Sequence, residues 1–325
     1  MSGSAMKKIL VTGAAGQIGS ELTMALRKKY GNDNVVAVGH KTKPSETLIR
    51  SGPFEIVEIA KKENLEELVK RHHIDTIYHM AAILSVTGEK NPQLAWDVNM
   101  NGLYNVLEIA REYKMVRIFW PSSIAAFGPE TPRENTPQET VLRPRTVYGV
   151  TKVAGELLCN YYFSKFGLDV RGVRYPGIIS SETAPSGGTT DYAVAIFYEA
   201  IKQKKYTCFV REDTVLPMMY MPDCIRATMD LMEADLSNLK HHADYNLAAM
   251  SFSAGELAVE IKKHIPEFKC EYKPDFRQEI ADSWPKSIDD SAARKEWGWK
   301  PSYNLSTMTK DMIGKLRKRH ADGRL

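Results

Sequence analysis

Short apolar runs alternate with amphipathic stretches along the first half of the chain. KKILVT (7–12), NVVAV (34–38), FEIVEI (54–59), IDTIYHM (74–80) and VRIFWP (116–121) are near-continuous aliphatic and β-branched segments, the pattern of strands covered on both faces. Between them, 17–30, 63–72 and 94–112 repeat apolar residues at helical spacing. Strands and helices in this order predict right-handed βαβ crossovers and an α/β fold with a doubly wound parallel sheet of Rossmann type. LDVRGVRY (168–175) continues the pattern as a sixth strand. After about residue 177 the alternation stops. Gly/Thr-rich turns (SGGTTDYA, 186–193), a Met- and Pro-rich stretch (VLPMMYMPD, 215–223) and an aromatic, charged C-terminal third follow. The pattern thus divides the chain into a Rossmann domain over 7–177, to which later segments return, and a smaller C-terminal lobe over 178–320. Residues 1–6, MSGSAM, read as a cloning remnant or a disordered start.

Bulk composition narrows the classes of function. A chain of 325 residues, 43% of them hydrophobic, can bury one large core or a core plus a lobe. With 44 basic and 40 acidic residues, the net charge of +4 is too balanced for a nucleic-acid partner. The basic run KLRKRH (315–320) reads as a solvated helix end. No apolar run reaches the ~18 residues of a membrane span. Cys159, Cys208, Cys224 and Cys270 are widely spaced, and the doublets His72-His73 and His241-His242 lack partners at ligand spacing. Neither a disulfide framework nor a metal site is expected. The chain is expected to be soluble and intracellular; the family resemblance carried by the motifs that follow implies a mitochondrial protein if eukaryotic and a cytoplasmic one if bacterial.

The first strand runs into GAAGQIG, with Gly13, Gly16 and Gly19 and, between the last two, Gln17 and Ile18. Glycines between a strand and a helix permit a tight turn, close approach of a pyrophosphate, and close helix packing. The helix N-terminus then offers free N–H groups to the phosphates. An acidic residue about twenty positions onward commonly holds an adenosine ribose. Here that position is Gly39, followed by His40 and Lys41. The missing carboxylate suits a 2′-phosphate, and equally suits a ribose held by backbone or by another side chain. Glu58, with Ile59, stands at the end of the third strand where a polar group can meet adenine. HMAAILS (79–85) brings the small residues Ala81 and Ala82 under a flat ring and ends in Ser85. The fifth strand ends in PSSIAAFG (121–128), which puts Ser122 and Ser123 at the sheet edge where ligands bind. The loop over 129–146 fits a wall of the cleft. TVYGVTK (146–152) then sets Tyr148 and Lys152 one helical turn apart on one face. A nearby cation favours a phenolate, which makes tyrosine usable as a base.

Dinucleotide turn, strand-edge serine and YxxxK pair resemble the extended branch of the short-chain dehydrogenase/reductases, whose catalytic set is matched by Ser123, Tyr148 and Lys152. EKNPQLAWDVNMNGLYNVLE (89–108), RYPGIIS (174–180), GGTTDYAVAIFY (187–198) and LPMMYMPD (216–223) narrow the resemblance to the epimerase-like L-threonine 3-dehydrogenases. That resemblance implies oxidation of L-threonine to 2-amino-3-ketobutyrate with NAD and without metal. Tyr148 would take the β-hydroxyl proton, Lys152 would lower its pKa and hold the nicotinamide ribose, and Ser123 would orient the hydroxyl. Ile178 would touch the cofactor, and Ser85, Gly187, Thr189 and Trp284 would enclose the substrate. Most members carry an aspartate where this chain has Gly39, so NADP stays open beside NAD. The superfamily also implies a homodimer paired through the YxxxK helix and the helix over 94–112.

Two rivals share parts of this pattern. A UDP-sugar 4-epimerase or dehydratase uses the same Ser/Tyr/Lys set but needs cations for a diphosphate, for which Arg211, Arg226 and Arg277 are available. A non-catalytic dinucleotide-binding regulator would have little need of Tyr148 and Lys152 together.

Overall fold

Successive residues of the central strands point into opposite cores. In the computed structural model, which describes residues 6–185 and 188–325, Ile9 and Val11 join one apolar cluster while Leu10 joins another. The same split separates Val35 and Ala37 from Val36 and Val38, Tyr78 from Ile77, and Phe119 from Ile118. This two-sided burial is why those segments read as unbroken apolar runs.

The first nine strands are β1 (Ile9–Thr12), β2 (Val35–Gly39), β3 (Phe54–Ile56), β4 (Thr76–His79), β5 (Arg117–Phe119), β6 (Ser122–Ser123), β7 (Val170–Arg171), β8 (Val173–Tyr175) and β9 (Gly177–Ile179). Six of them form a parallel sheet in the order β3-β2-β1-β4-β5-β7. The order reverses between β1 and β4, and a crevice for ligands opens at such a reversal. Helices Gln17–Tyr30 and Met221–Glu233 cover one face, and Lys62–His72, Gly102–Glu112 and Val147–Phe166 the other.

Three expectations need correction. The single strand expected over 168–175 is two, interrupted at Gly172, where a Cβ would stand 2.1 Å from the Trp120 carbonyl and whose N–H donates to His242 O at 2.8 Å. After that break, β8 leaves the main sheet to lie between β6 and a strand at Tyr245–Asn246. The third strand stops at Ile56, so Glu58 lies in the loop beyond it. The helix over 94–112 is interrupted by a wider π-type turn at Asp97–Asn101.

The later chain contributes to two cores. Met219, Met221, Cys224, Leu231 and Trp299 pack beneath the main sheet. Tyr192, Phe197, Leu216, Leu257, Met312 and Leu316 form a separate cluster that Trp284 and Ile124 also join. The first five residues, and Gly187 with its expected substrate role, lie outside the described residues.

Candidate active site

β1 delivers the chain into the glycine turn in the left-handed conformation at Gly13 (φ +64°). A Cβ on Gly13 would sit 2.6 Å from the Ala81 nitrogen, and one on Gly19 only 2.2 Å from Gly13 O. Both positions therefore require glycine. Helix Gln17–Tyr30 starts at Gly16 without a side-chain cap, so its first N–H groups remain for an anion.

Gly39 ends β2 as expected, but the space beside it is filled. A Cβ there would lie 2.8 Å from Cζ of Phe54, on the neighbouring strand. An acidic side chain has no room unless Phe54 moves. His40 and Lys41 are exposed. Glu58 pairs with Lys61 at 2.9 Å, and that contact, with smaller help from His40 and Lys41, holds its carboxyl below the usual range. Ile59 turns away from the cleft: its side chain faces Gly102 and its carbonyl accepts from Asn105 Nδ2 at 3.1 Å.

Helix Val147–Phe166 begins at Thr146, whose hydroxyl accepts from Gly149 N at 3.1 Å. Gly149 and Gly155 let it lie against the chain on either side of β6. Cβ atoms there would be 2.2 Å from Ala125 O and 2.4 Å from the Trp120 ring. That close approach brings Tyr148 to Ser123. Burial pushes the Tyr148 phenol up to about 12, against a hydrogen bond with Ser123 that pulls it down. Lys152 is 3% exposed, and burial lowers its ammonium to about 7, opposed by Cys159 and Glu156. Its Nζ donates to Pro121 O at 2.5 Å and lies 4.6 Å from the Trp120 ring centroid and 5.4 Å from that of Tyr148. In this arrangement the Lys152 ammonium is bonded to the Pro121 carbonyl.

Ser122 and Ser123 part company. Ser122 Oγ donates to Glu156, a buried carboxylate held bidentately by Arg174 at 2.9 Å. Ser123 keeps its hydroxyl at the phenol and accepts from Ala125 N at 3.2 Å. Asn99 was missed by sequence reasoning. Its amide grips both Ile83 N (2.7 Å) and Ile83 O (3.0 Å) and donates to Thr151 Oγ1 at 3.1 Å. It thereby ties the Ala81–Ala82 loop to the helix bearing Tyr148. A buried amide inside an apolar helix face was the available signal.

Gly13, Gly16, Gln17, Ile18, Gly19, Ala82, Ser85, Ser123, Tyr148, Lys152, Ile178, Thr189 and Trp284 line one cavity of about 440 Å³. Ser85 and Thr189 approach to 3.4 Å between hydroxyl oxygens. Gly39, His40, Lys41, Glu58, Ile59 and Ala81 are not among its lining residues. Thr42 and Asp191, neither anticipated, are. No residue of 129–146 lines it; that loop instead binds the C-terminal chain, Thr136 N donating to Ser287 O at 3.0 Å and Gln138 Oε1 accepting from Asn246 N at 2.8 Å. Among the described lining residues the charged side chains are Lys152 and Asp191. The three arginines lie elsewhere: Arg211 on Asp282 (2.9 Å), Arg226 on Asp223 (2.8 Å) and Arg277 on Asp275 (2.6 Å).

A sequence profile of the NAD dependent epimerase/dehydratase family matches residues 9–248. The chain belongs to that family. An uncharacterized epimerase/dehydratase of Staphylococcus saprophyticus is 53% identical over 309 residues, covering 95% of this chain and 96% of that one. Among solved structures, an L-threonine dehydrogenase from Clostridium difficile is 54% identical with a TM-score of 0.95, covering 97% of this chain and 99% of that chain. A monomeric L-threonine 3-dehydrogenase from a metagenome is also 54% identical, with a TM-score of 0.92 and coverage of 95% and 99%. The glycine turn fits the family's dinucleotide, because Gly13, Gly16 and Gly19 line the cavity and the uncapped helix start beside them leaves its first N–H groups for a pyrophosphate. Among the described residues no helix is long and apolar enough to cross a membrane.

Proposed function

We propose that this protein oxidises L-threonine to 2-amino-3-ketobutyrate with NAD, with Tyr148 as base. The observation that carries this reading is the charge pattern of the cavity: one lysine, one carboxylate and no arginine beside a Tyr–Ser pair. A small zwitterion is matched by such a lining. A nucleotide-sugar diphosphate is not, since the arginines available to it are already paired outside.

Residues 7–177 supply the dinucleotide site and 178–320 much of the substrate wall. Asp191, whose carboxylate also accepts from Gly188 N at 2.8 Å, supplies the counter-charge for the substrate ammonium, and Ser85 and Thr189 supply hydroxyls to its polar ends. Trp284 and Ile124, both buried, exclude water from the reacting carbon. Tyr148 accepts the β-hydroxyl proton as the Cβ–H bond breaks, and Ser123 steadies charge on that oxygen. A dinucleotide held at the Gly13–Gly19 turn and by Lys152 would supply the hydride acceptor. NAD is preferred over NADP because Glu58, close to His40 and Lys41, offsets the positive charge a 2′-phosphate would need.

Helix Val147–Phe166 exposes Val150, Leu157 and Tyr161 along one face, and Trp96 and Tyr104 are exposed on the neighbouring helical segments. We propose that this face pairs with its copy in a homodimer. A related structure is described as monomeric, so the molar mass in solution tests it.

The deciding assay follows reduced-nicotinamide absorbance with L-threonine, using NAD and NADP in parallel. Reduction mainly with NAD is expected, and Tyr148→Phe should lower turnover by about 100-fold or more while leaving NAD affinity intact. No reduction with either cofactor, together with interconversion of a UDP-sugar, would replace this reading with the epimerase.

A further inference from the structure

The basic run at the C-terminus does not simply face solvent. On helix Leu305–Ala321, Arg319 Nη1 donates to the Ser181 carbonyl and to Tyr198 OH (3.3 Å). Lys315 pairs with Asp311 at 2.7 Å and donates to Tyr220 OH at 3.4 Å. Both cations therefore stand behind the chain that leaves β9. Ser180 and Ser181 there are buried, at 0% and 4% exposure.

Ser180 is a three-way junction. Its hydroxyl donates to Glu21 Oε1 at 2.5 Å and accepts from Glu182 N at 3.0 Å and Thr183 N at 3.1 Å. A serine hydroxyl has one proton and two lone pairs, so all its capacity is used. Thr183 lines the cavity on one side of this junction, and Ile178 lines it on the other. Glu21 stands one turn into the helix whose N-terminus forms the glycine cradle, and Gln17 of the same helix reaches Ile178 O at 3.5 Å. The cofactor helix and the substrate wall thus meet at the Glu21–Ser180 carboxyl–hydroxyl contact and, more loosely, at Gln17 and Ile178.

We propose that Glu21 is a positioning residue: its carboxylate, by fixing the Ser180 hydroxyl, ties the dinucleotide helix to the Ser180–Thr183 wall and sets the affinity for substrate. This rests on the threonine dehydrogenase reading for its substrate, though not for its geometry. An ionised Glu21 is an acceptor only and dictates the direction of the Ser180 proton. A protonated Glu21 can donate to Ser180 and compete with the Glu182 and Thr183 amides. Burial raises Glu21 to about 7, with Ser180 opposing, Glu182 adding to the rise and Lys315 and Arg319 opposing it. The two protonation states therefore exchange close to neutrality.

The test uses the full chain and three variants: Glu21→Gln, Glu21→Ala and Ser180→Ala. Hydrogen exchange of the Glu182 and Thr183 amides needs no substrate, and Ser180→Ala and Glu21→Ala should speed it by about tenfold. In turnover, both should raise the KM for L-threonine by about tenfold with kcat and NAD affinity nearly unchanged. Glu21→Gln keeps an acceptor, so it should restore exchange protection while losing any inflection of kcat/KM near pH ~7. Unchanged exchange and KM in Ser180→Ala, or a retained inflection in Glu21→Gln, would overturn the proposal. Should Glu21→Ala not fold, the other two variants decide. If the wild type fails to oxidise threonine, the functional reading falls while the exchange measurement still tests the tie.

Discussion

Replacing Lys152 by methionine should stabilise the unliganded protein at low pH and progressively less as pH rises. The ammonium is 3% exposed, with a carbonyl at 2.5 Å and two aromatic rings as its surroundings. The nearest carboxylate, Glu156, is already committed to Arg174. A drop from 10.5 to about 7 means that the charged form costs roughly 5 kcal/mol more inside than in water. The sign follows from proton uptake. Between pH ~7 and ~10 the unfolded chain holds this proton and the native chain has lost it, so native stability rises with pH through that window. From pH ~6 to ~9 the gain amounts to about 2–3 kcal/mol. Methionine has no such proton, and the bare Pro121 carbonyl it leaves costs about 1–3 kcal/mol at every pH. Urea unfolding, read by tryptophan fluorescence without cofactor, gives the stability difference between variant and wild type at several pH values. That difference should shrink, or turn against methionine, by about 2–3 kcal/mol between pH ~6 and ~9. A difference independent of pH would refute the idea that burial strips the Lys152 charge of its hydration.

Gly19→Ala places a methyl 2.2 Å from the Gly13 carbonyl, which only backbone movement can relieve. It should cost about 1–3 kcal/mol of stability and weaken NAD binding at least tenfold, as measured by urea unfolding and fluorescence titration. Unaltered NAD affinity would remove the turn from the cofactor site. Asp191→Asn should raise the KM for L-threonine by about tenfold without touching NAD affinity; an unchanged KM would place the substrate ammonium elsewhere. Wild type and Glu21→Gln should have similar stability near pH ~4, where Glu21 is protonated in the native chain and largely protonated in the unfolded one. Near pH ~8 the variant should be the more stable, because the raised carboxyl of Glu21 must ionise in the native state. Denaturant midpoints at the two pH values check this, and a constant gap between them contradicts it.

Much of the site was legible because its elements are local. GAAGQIG between a strand and a helix has few other physical uses, and TVYGVTK places its phenol and ammonium together by helix geometry alone. What failed to show involved partners far apart in sequence. Glu21 meets Ser180 across 159 positions, and Asn99 meets Thr151 across 52. Gly39 read as a missing carboxylate, yet Phe54 on the next strand makes a side chain there impossible without a shift. The 129–146 loop read as a cleft wall because it precedes Tyr148, but its backbone partners lie at residues 286–289. By itself, the sequence determined the strand–helix alternation, the glycine turn and the Tyr148–Lys152 spacing, since each follows from backbone periodicity within a few residues. Only the tertiary structure decided what Ser122 bonds to, where the lysine's charge points and which ions remain in the cavity. Those depend on burial and on long-range hydrogen-bond partners, which set the energy of a charge and are invisible to local spacing.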